Sequence, residues 1–301
     1  MKILSCNNTK HLVTKILSKI DLDAVDMKIN KFSDGEVSIK IHDDLYQKAV
    51  LITHQLFPNP NEKLLQLLFL INAVKRRGAK RIHVIIPYFI YSRMDHKTED
   101  ADFISASCIA SLLEAAGLDT LITIDLHSSQ MEGFFRIPVK NITMLEVFHS
   151  RLESIVAADA VVVSPDIGGK IRSTSVSNFL KVPLAVLYKQ RDKENNVSIN
   201  GIMGAVQNKH CILLDDIIGS GQTIINAIDI LESAGAKSVE TIITHNLLGA
   251  CDMDKLKDIA SRLSKLSVSN TIQIDSNKIY TSTINTVDIS DSIINCINSY
   301  F

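Results

Sequence analysis

The chain has 301 residues, 46% of them apolar, which is enough for two domains of roughly 150 residues that each bury a core. A formal charge of -1 argues against the broad basic face that nucleic acid requires, and no uninterrupted apolar run approaches the ~18 residues of a membrane span. Met1 to Asn8 lacks the apolar core and cleavage site of a secretory leader, and Cys6, Cys108, Cys211, Cys251 and Cys296 form no C-x-x-C pair, so a cytoplasmic protein with reduced thiols and neither nucleic acid nor membrane as partner is expected.

In chain order, Phe32 to Glu36 reads as a turn just before a strand. Short β-branched runs follow at Val50 to Thr53, Arg81 to Pro87, Thr120 to Leu126, Ala160 to Ser164, Leu184 to Tyr188, Cys211 to Leu214 and Val239 to Thr244. Amphipathic helical spacing falls near Lys63 to Arg77, Ser105 to Ala116, Gln222 to Ala234 and Asp288 to Asn298. Most of the strands are apolar on both faces, as parallel strands covered by helices on two sides must be, so the class is α/β.

An internal repeat divides the chain. Lys48-Ala-Val-Leu-Ile-Thr, a helix, Gly78-Ala79-Lys80 and Arg81-Ile-His-Val-Ile-Ile are echoed by Lys209-His-Cys-Ile-Leu-Leu, a helix, Gly235-Ala236-Lys237 and Ser238-Val-Glu-Thr-Ile-Ile. Two copies of one strand-helix-strand unit predict tandem α/β domains, 1–145 and 146–301, with the last helix free to pack on either. The copies diverge after their first strand: His54-Gln55-Leu56-Phe57-Pro58-Asn59 stands in one, and Asp215-Asp216-Ile217-Ile218-Gly219-Ser220-Gly221-Gln222-Thr223 in the other.

That second run is built for an anion. Small residues let the backbone close round a phosphate, the helix start presents N–H groups, and Ser220 and Thr223 add hydroxyls, while Asp215 and Asp216 are placed to hold ribose hydroxyls. It is neither a G-x-x-x-x-G-K-[ST] loop nor a complete G-x-G-x-x-G fingerprint.

The run resembles the phosphoribosyl diphosphate (PRPP) loop of phosphoribosyltransferase-like folds. With Phe32-Ser33-Asp34-Gly35-Glu36, Pro87 to Asp95, Asp125 to Phe135 and Ser164-Pro165-Asp166-Ile167-Gly168-Gly169 in the same order, the chain resembles the ribose-phosphate diphosphokinase family. The resemblance implies two tandem phosphoribosyltransferase-like domains, ATP on the first and ribose 5-phosphate on the second. It implies adenine stacked on Phe32 with Asp34 and Glu36 accepting its amino hydrogens, Arg93 and Asp95 near the nucleotide, and Mg²⁺ held by His127 and Asp166. Ribose 5-phosphate falls to Asp215, Asp216, Gly219, Ser220, Gly221, Gln222 and Thr223. The pattern Lys189-Gln190-Arg191, followed by polar residues from Asp192 to Val197, matches the family's mobile catalytic loop and makes Lys189 and Arg191 the catalytic residues. Dimers assembled into hexamers are expected on the same ground.

The chain departs from the family's pattern at Met94, where Gln is frequent, at Ala101, Phe103 and Ser107, and at Gly219, where a third Asp is common. Two other readings stand beside diphosphoryl transfer: a phosphoribosyltransferase that consumes PRPP, and a non-catalytic paralogue that tunes an active enzyme.

Overall fold

A computed structural model describes residues 1–6, 9–97, 99–155, 158–191, 197–274 and 282–300, with backbone alone at 189–191 and 197–200. Two compact units emerge, one from Met1–Thr143 joined by the last helix from Ser290, the other from Met144–Ile289. The last helix therefore packs with the first unit, one of the two homes that the sequence leaves open.

The first unit runs β1 (Lys2–Ser5), α1 (Lys10–Lys19), β2 (Asp23–Ala24), β3 (Met27–Lys31), β4 (Val37–Ile41), β5 (Ala49–Thr53), α2 (Pro60–Arg76), β6 (Arg81–Ile86), α3 (Ser105–Ala116), β7 (Thr120–Ile124) and β8 (Val139–Ile142). Six of these strands form a parallel sheet in the order β2-β1-β5-β6-β7-β8, and β3 and β4 pair antiparallel as a separate hairpin. All of β7 is buried, as its two-faced apolar run requires. Leu64, Leu67, Leu70, Ile71 and Val74 form the buried stripe of α2 at three- and four-residue spacing.

The second unit runs α4 (Met144–Val147), α5 (His149–Glu153), β9 (Ala160–Ser164), α6 (Lys170–Leu180), β10 (Leu184–Arg191), β11 (Val197–Met203), β12 (His210–Ile218), α7 (Gln222–Ser233), β13 (Ser238–Asn246), α8 (Leu247–Cys251), α9 (Met253–Ser261), β14 (Lys265–Ser269) and β15 (Ile284–Val287). Its sheet has the order β11-β10-β9-β12-β13-β14-β15, parallel except between β10 and β11. The closing helix α10 (Ser290–Tyr300) lies against α1 and β8 of the first unit, with Lys19 ion-paired to Asp291.

The repeat holds down to single hydrogen bonds. Gln47 and Asn208, both at φ 58°, donate their N–H groups to Gly78 and Gly235, whose φ values are +79° and +78°. Lys80 N–H then meets Lys48 O and Lys237 N–H meets Lys209 O, each at 2.8 Å. A left-handed glycine closes each helix because only glycine takes that conformation without steric cost.

In each sheet two adjacent strands lead on to neighbours on opposite sides, and this reversal opens a crevice at the carboxyl ends where open α/β sheets bind ligands. It lies between β1 and β5 in the first unit and between β9 and β12 in the second. At the first, the Thr9 hydroxyl bonds to the Cys6 and Thr53 carbonyls, both at 3.1 Å, and Thr9, Thr53 and His54 are all buried. In the second, a loop of small residues and three carboxylates takes that place.

Candidate active site

Asp166, Asp215, Asp216 and the loop to Thr223 come together at the reversal in the second unit. β9 pairs with β12 only as far as Val163 opposite Leu213, whereas β13 follows β12 on to Ile218 opposite Asn246. The strand expected to stop at Leu214 therefore continues to Ile218 and carries Asp215 and Asp216 within it, supported by β13 on one side. Gly219 and Ser220 make the turn, and Gly221, at φ +79°, caps α7. The first N–H groups of a helix lack intrahelical partners and carry the positive end of its dipole, so the start of α7 suits a phosphate. Ser220 and Gln222 are exposed and Thr223 is half-buried, and Gln222 N–H lies 3.4 Å from Ser220 Oγ.

A Cβ on Gly221 would come within 2.6 Å of Ile259 Cδ1 and 3.1 Å of Leu248 Cδ2, so these buried side chains would have to shift to admit it. Asp166 Oδ1 accepts the Gly169 N–H at 2.9 Å, and Ser164 Oγ donates to the Asp166 carbonyl at 2.7 Å, which sets the turn leading from β9 into α6. A Cβ on Gly168 would come 3.3 Å from Asp166 Oδ1, and one on Gly169 would come 2.9 Å from Ser164 Oγ. The two glycines thus keep the space beside this carboxylate clear.

The carboxylates are not independent. Burial, followed by the negative charge of Asp216, pushes the Asp215 carboxyl well above the ordinary carboxylate range; Arg172 pulls it back and Asp166 adds to the rise. Arg172, from the first turn of α6, reaches Asp216 with Nη1 3.6 Å from Oδ1, and both side chains are largely buried. The sequence reading passed over Arg172 because an arginine early in a helix looks like an ordinary solvated residue until β12 is placed beside it.

In the first unit the expected nucleotide residues and the expected metal residue His127 occupy three places. Phe32, Asp34 and Glu36 form the tip of the β3–β4 hairpin, where Phe32 N–H bonds to Glu36 O, Glu36 N–H bonds to Asp34 Oδ1 and Gly35 sits at φ +96°. The segment is thus a hairpin turn, and all three side chains are exposed. Arg93, exposed, and Asp95, buried and 2.6 Å from His96 Nδ1, lie in the loop after β6. His127, exposed, follows β7, the neighbour of β6. The departures Met94, Ala101, Phe103 and Ser107 all fall on the loop after β6 or on the first turn of α3, with Met94 and Phe103 exposed.

Strand β10 runs three residues past its expected end at Tyr188, because β11 pairs with it there: Lys189 with Ile199 and Arg191 with Val197. The register shifts between Tyr188 and Lys189, a bulge of the kind that re-aims a strand near functional sites. Residues 192–196 of the expected mobile loop lie outside the described residues. Among the described residues no group of three or more His, Cys, Asp or Glu could hold a metal ion. An ion at Asp166 would take most of its ligands from phosphate oxygens and water, which is the habit of magnesium. No helix among the described residues is long and apolar enough to cross a membrane.

A family model described as the N-terminal domain of ribose phosphate pyrophosphokinase matches residues 1–117, and a phosphoribosyl transferase domain model matches residues 144–278. A ribose-phosphate pyrophosphokinase of Halalkalibacterium halodurans is 36% identical over 279 residues, covering 93% of this chain and 88% of the relative. One from Thermosipho africanus is 37% identical over 90% of this chain and 86% of its own length. Among solved structures, phosphoribosylpyrophosphate synthetase from Mycobacterium smegmatis superposes with a TM-score of 0.88 at 30% identity, over 99% of this chain and 97% of that one.

Proposed function

The chain belongs to the ribose-phosphate pyrophosphokinase family, and from that premise we propose that it transfers the β,γ-diphosphate of ATP to the C1 hydroxyl of ribose 5-phosphate, giving PRPP and AMP. The observation that carries this reading is the second unit's reversal point, where paired carboxylates on β12 run directly into a small-residue turn and a helix start. The helix start and the hydroxyls of Ser220 and Thr223 hold the sugar phosphate, with Gly219, Gly221 and Gln222 shaping the turn. Asp215 and Asp216 accept the ribose hydroxyls.

ATP belongs to the first unit, with adenine on Phe32 at the hairpin tip, Asp34 and Glu36 at its amino group, and Arg93 and Asp95 near the nucleotide. Asp166 in the second unit and His127 in the first are the residues that would hold Mg²⁺ arriving with ATP; the cleared space beside Asp166 fits that role, and such an ion would supply positive charge to the phosphate oxygens. Attack of the C1 hydroxyl on the β-phosphorus expels AMP, and catalysis comes from alignment and charge stabilisation rather than from a protein nucleophile. Lys189 and Arg191 meet the charge that develops on the β-phosphate and the leaving AMP. Family membership supports a cytoplasmic homo-oligomer.

Lys189→Ala tests the catalytic assignment. Turnover to AMP and PRPP should fall by at least about 100-fold at saturating substrates, as for loss of a charge-stabilising donor in other enzymes, with the melting temperature unchanged. A variant that keeps its kcat removes Lys189 from the mechanism.

A further inference from the structure

Arg172 has no part in the assignments above, although its guanidinium sits among the groups given to the ribose. It stands on the first turn of α6, just beyond the Asp166 to Gly169 turn, while its partner Asp216 stands on β12. The side chains of Arg172 and Asp216 are only 12% and 5% exposed, so this ion pair is shielded from water and does not resemble the freely rotating pairs of a surface. Asp215 and Asp216 are adjacent in sequence, Asp166, just past the end of the neighbouring strand, adds its negative charge to that of Asp216 in acting on Asp215, and Arg172 opposes both. An arginine keeps its charge under all ordinary conditions, so at 3.6 Å and shielded from water it attracts the Asp216 carboxylate at every working pH.

On the reading of the second unit as the ribose 5-phosphate site, we propose that Arg172 is a positioning residue: it holds the Asp216 carboxylate in the one orientation that accepts a ribose hydroxyl, and so sets the affinity for ribose 5-phosphate while leaving that for ATP alone. The bland alternative is an ion pair that merely pins α6 to β12, and it predicts lost stability with no preference between substrates. Direct contact between Arg172 and the substrate is the other alternative, and it predicts a cost that does not depend on Asp216.

Steady-state kinetics on wild type, Arg172→Lys, Arg172→Met, Asp216→Asn and the double variant Arg172→Met/Asp216→Asn separate these cases, with the melting temperature of each recorded. Arg172→Met should raise KM for ribose 5-phosphate by about tenfold or more, with KM for ATP within about twofold of wild type, and Arg172→Lys should recover part of the loss. In the Asp216→Asn background the same change should alter KM for ribose 5-phosphate by less than about twofold, because the residue through which Arg172 acts is already disabled. Equal rises in both KM values, an unchanged KM, or fully additive losses would overturn the proposal. Should Arg172→Met fail to fold, Arg172→Lys in the two backgrounds decides by the same criteria. A wild type that releases no AMP in a ribose 5-phosphate-dependent way overturns the site reading itself, whereas an active wild type with an indifferent Arg172→Met overturns the arginine's role alone.

Discussion

Phe32 leaves 57% of its surface exposed at a hairpin tip, an arrangement that contributes little to the core and presents an aromatic face to a ligand. Removing a ring on which a base stacks costs on the order of 1–3 kcal/mol, so Phe32→Ala is expected to raise KM for ATP by roughly tenfold or more while the melting temperature moves by no more than about 1–2 °C. A wild-type KM would take the adenine off this residue. His54 is the opposite case. Its ring is wholly buried, and burial, with the nearby charge of Lys63, lowers its pKa from 6.5 to about 4 against the pull of its hydrogen bonds to Gln55 and Gln66. The folded state binds fewer protons than the unfolded state between those values, so stability is complete above pH 6.5 and falls as the pH drops towards 4, by about 3 kcal/mol. Urea unfolding from pH 4.5 to 7.5 should show that slope in wild type and a flatter one in His54→Gln; parallel slopes would assign the acid sensitivity elsewhere. At this scale the sequence was most informative where a residue type has few bland uses. The run from Asp215 to Thr223 is such a case, and Arg172, an ordinary residue in an ordinary helix, is not.

The turn from Gly219 into α7, proposed to hold the sugar phosphate, has a geometry that rests on one glycine. Gly221 combines a φ of +79° with a Cβ position blocked by Ile259 and Leu248. Gly221→Ala therefore meets both the left-handed penalty and overpacking, together about 2 kcal/mol or more, and should lower the melting temperature while raising KM for ribose 5-phosphate. A variant matching wild type in both would show that the turn tolerates a side chain and that its shape is not what binds. Strand ends were read short for a common reason. Asp215 and Asp216 break the apolar run of β12, and only pairing with β13, a tertiary contact, carries the strand on to Ile218. Likewise β10 outruns its apolar stretch because β11 lies alongside. Of the β3–β4 hairpin, the turn at Phe32 to Glu36 and the strand after it are legible, whereas β3 is not among the expected strands, although Met27-Lys28-Ile29-Asn30-Lys31 alternates apolar and polar residues as a half-buried strand does.

Across the whole molecule, the tandem plan was legible because each copy repeats the same strand, helix, glycine turn and strand, down to Gly78 and Gly235. The home of α10 was not legible: its buried stripe of Ile293, Ile294, Cys296 and Ile297 would suit any apolar groove, and only the fold reveals α1 and β8 as its neighbours. At the reversal points the two units differ: one has Thr9, Thr53 and His54 buried there, while the other carries Asp215, Asp216 and the small-residue turn into α7. Such a division suits a reaction with two phosphorylated substrates. The most direct test follows the β-phosphate itself. With ATP labelled at the β-position, wild-type protein and ribose 5-phosphate should give label in PRPP and unlabelled AMP. Label recovered in ADP would mean transfer of the γ-phosphate alone, and unconsumed ATP with well-folded protein would mean a partner that tunes another enzyme; either result contradicts diphosphoryl transfer by this chain.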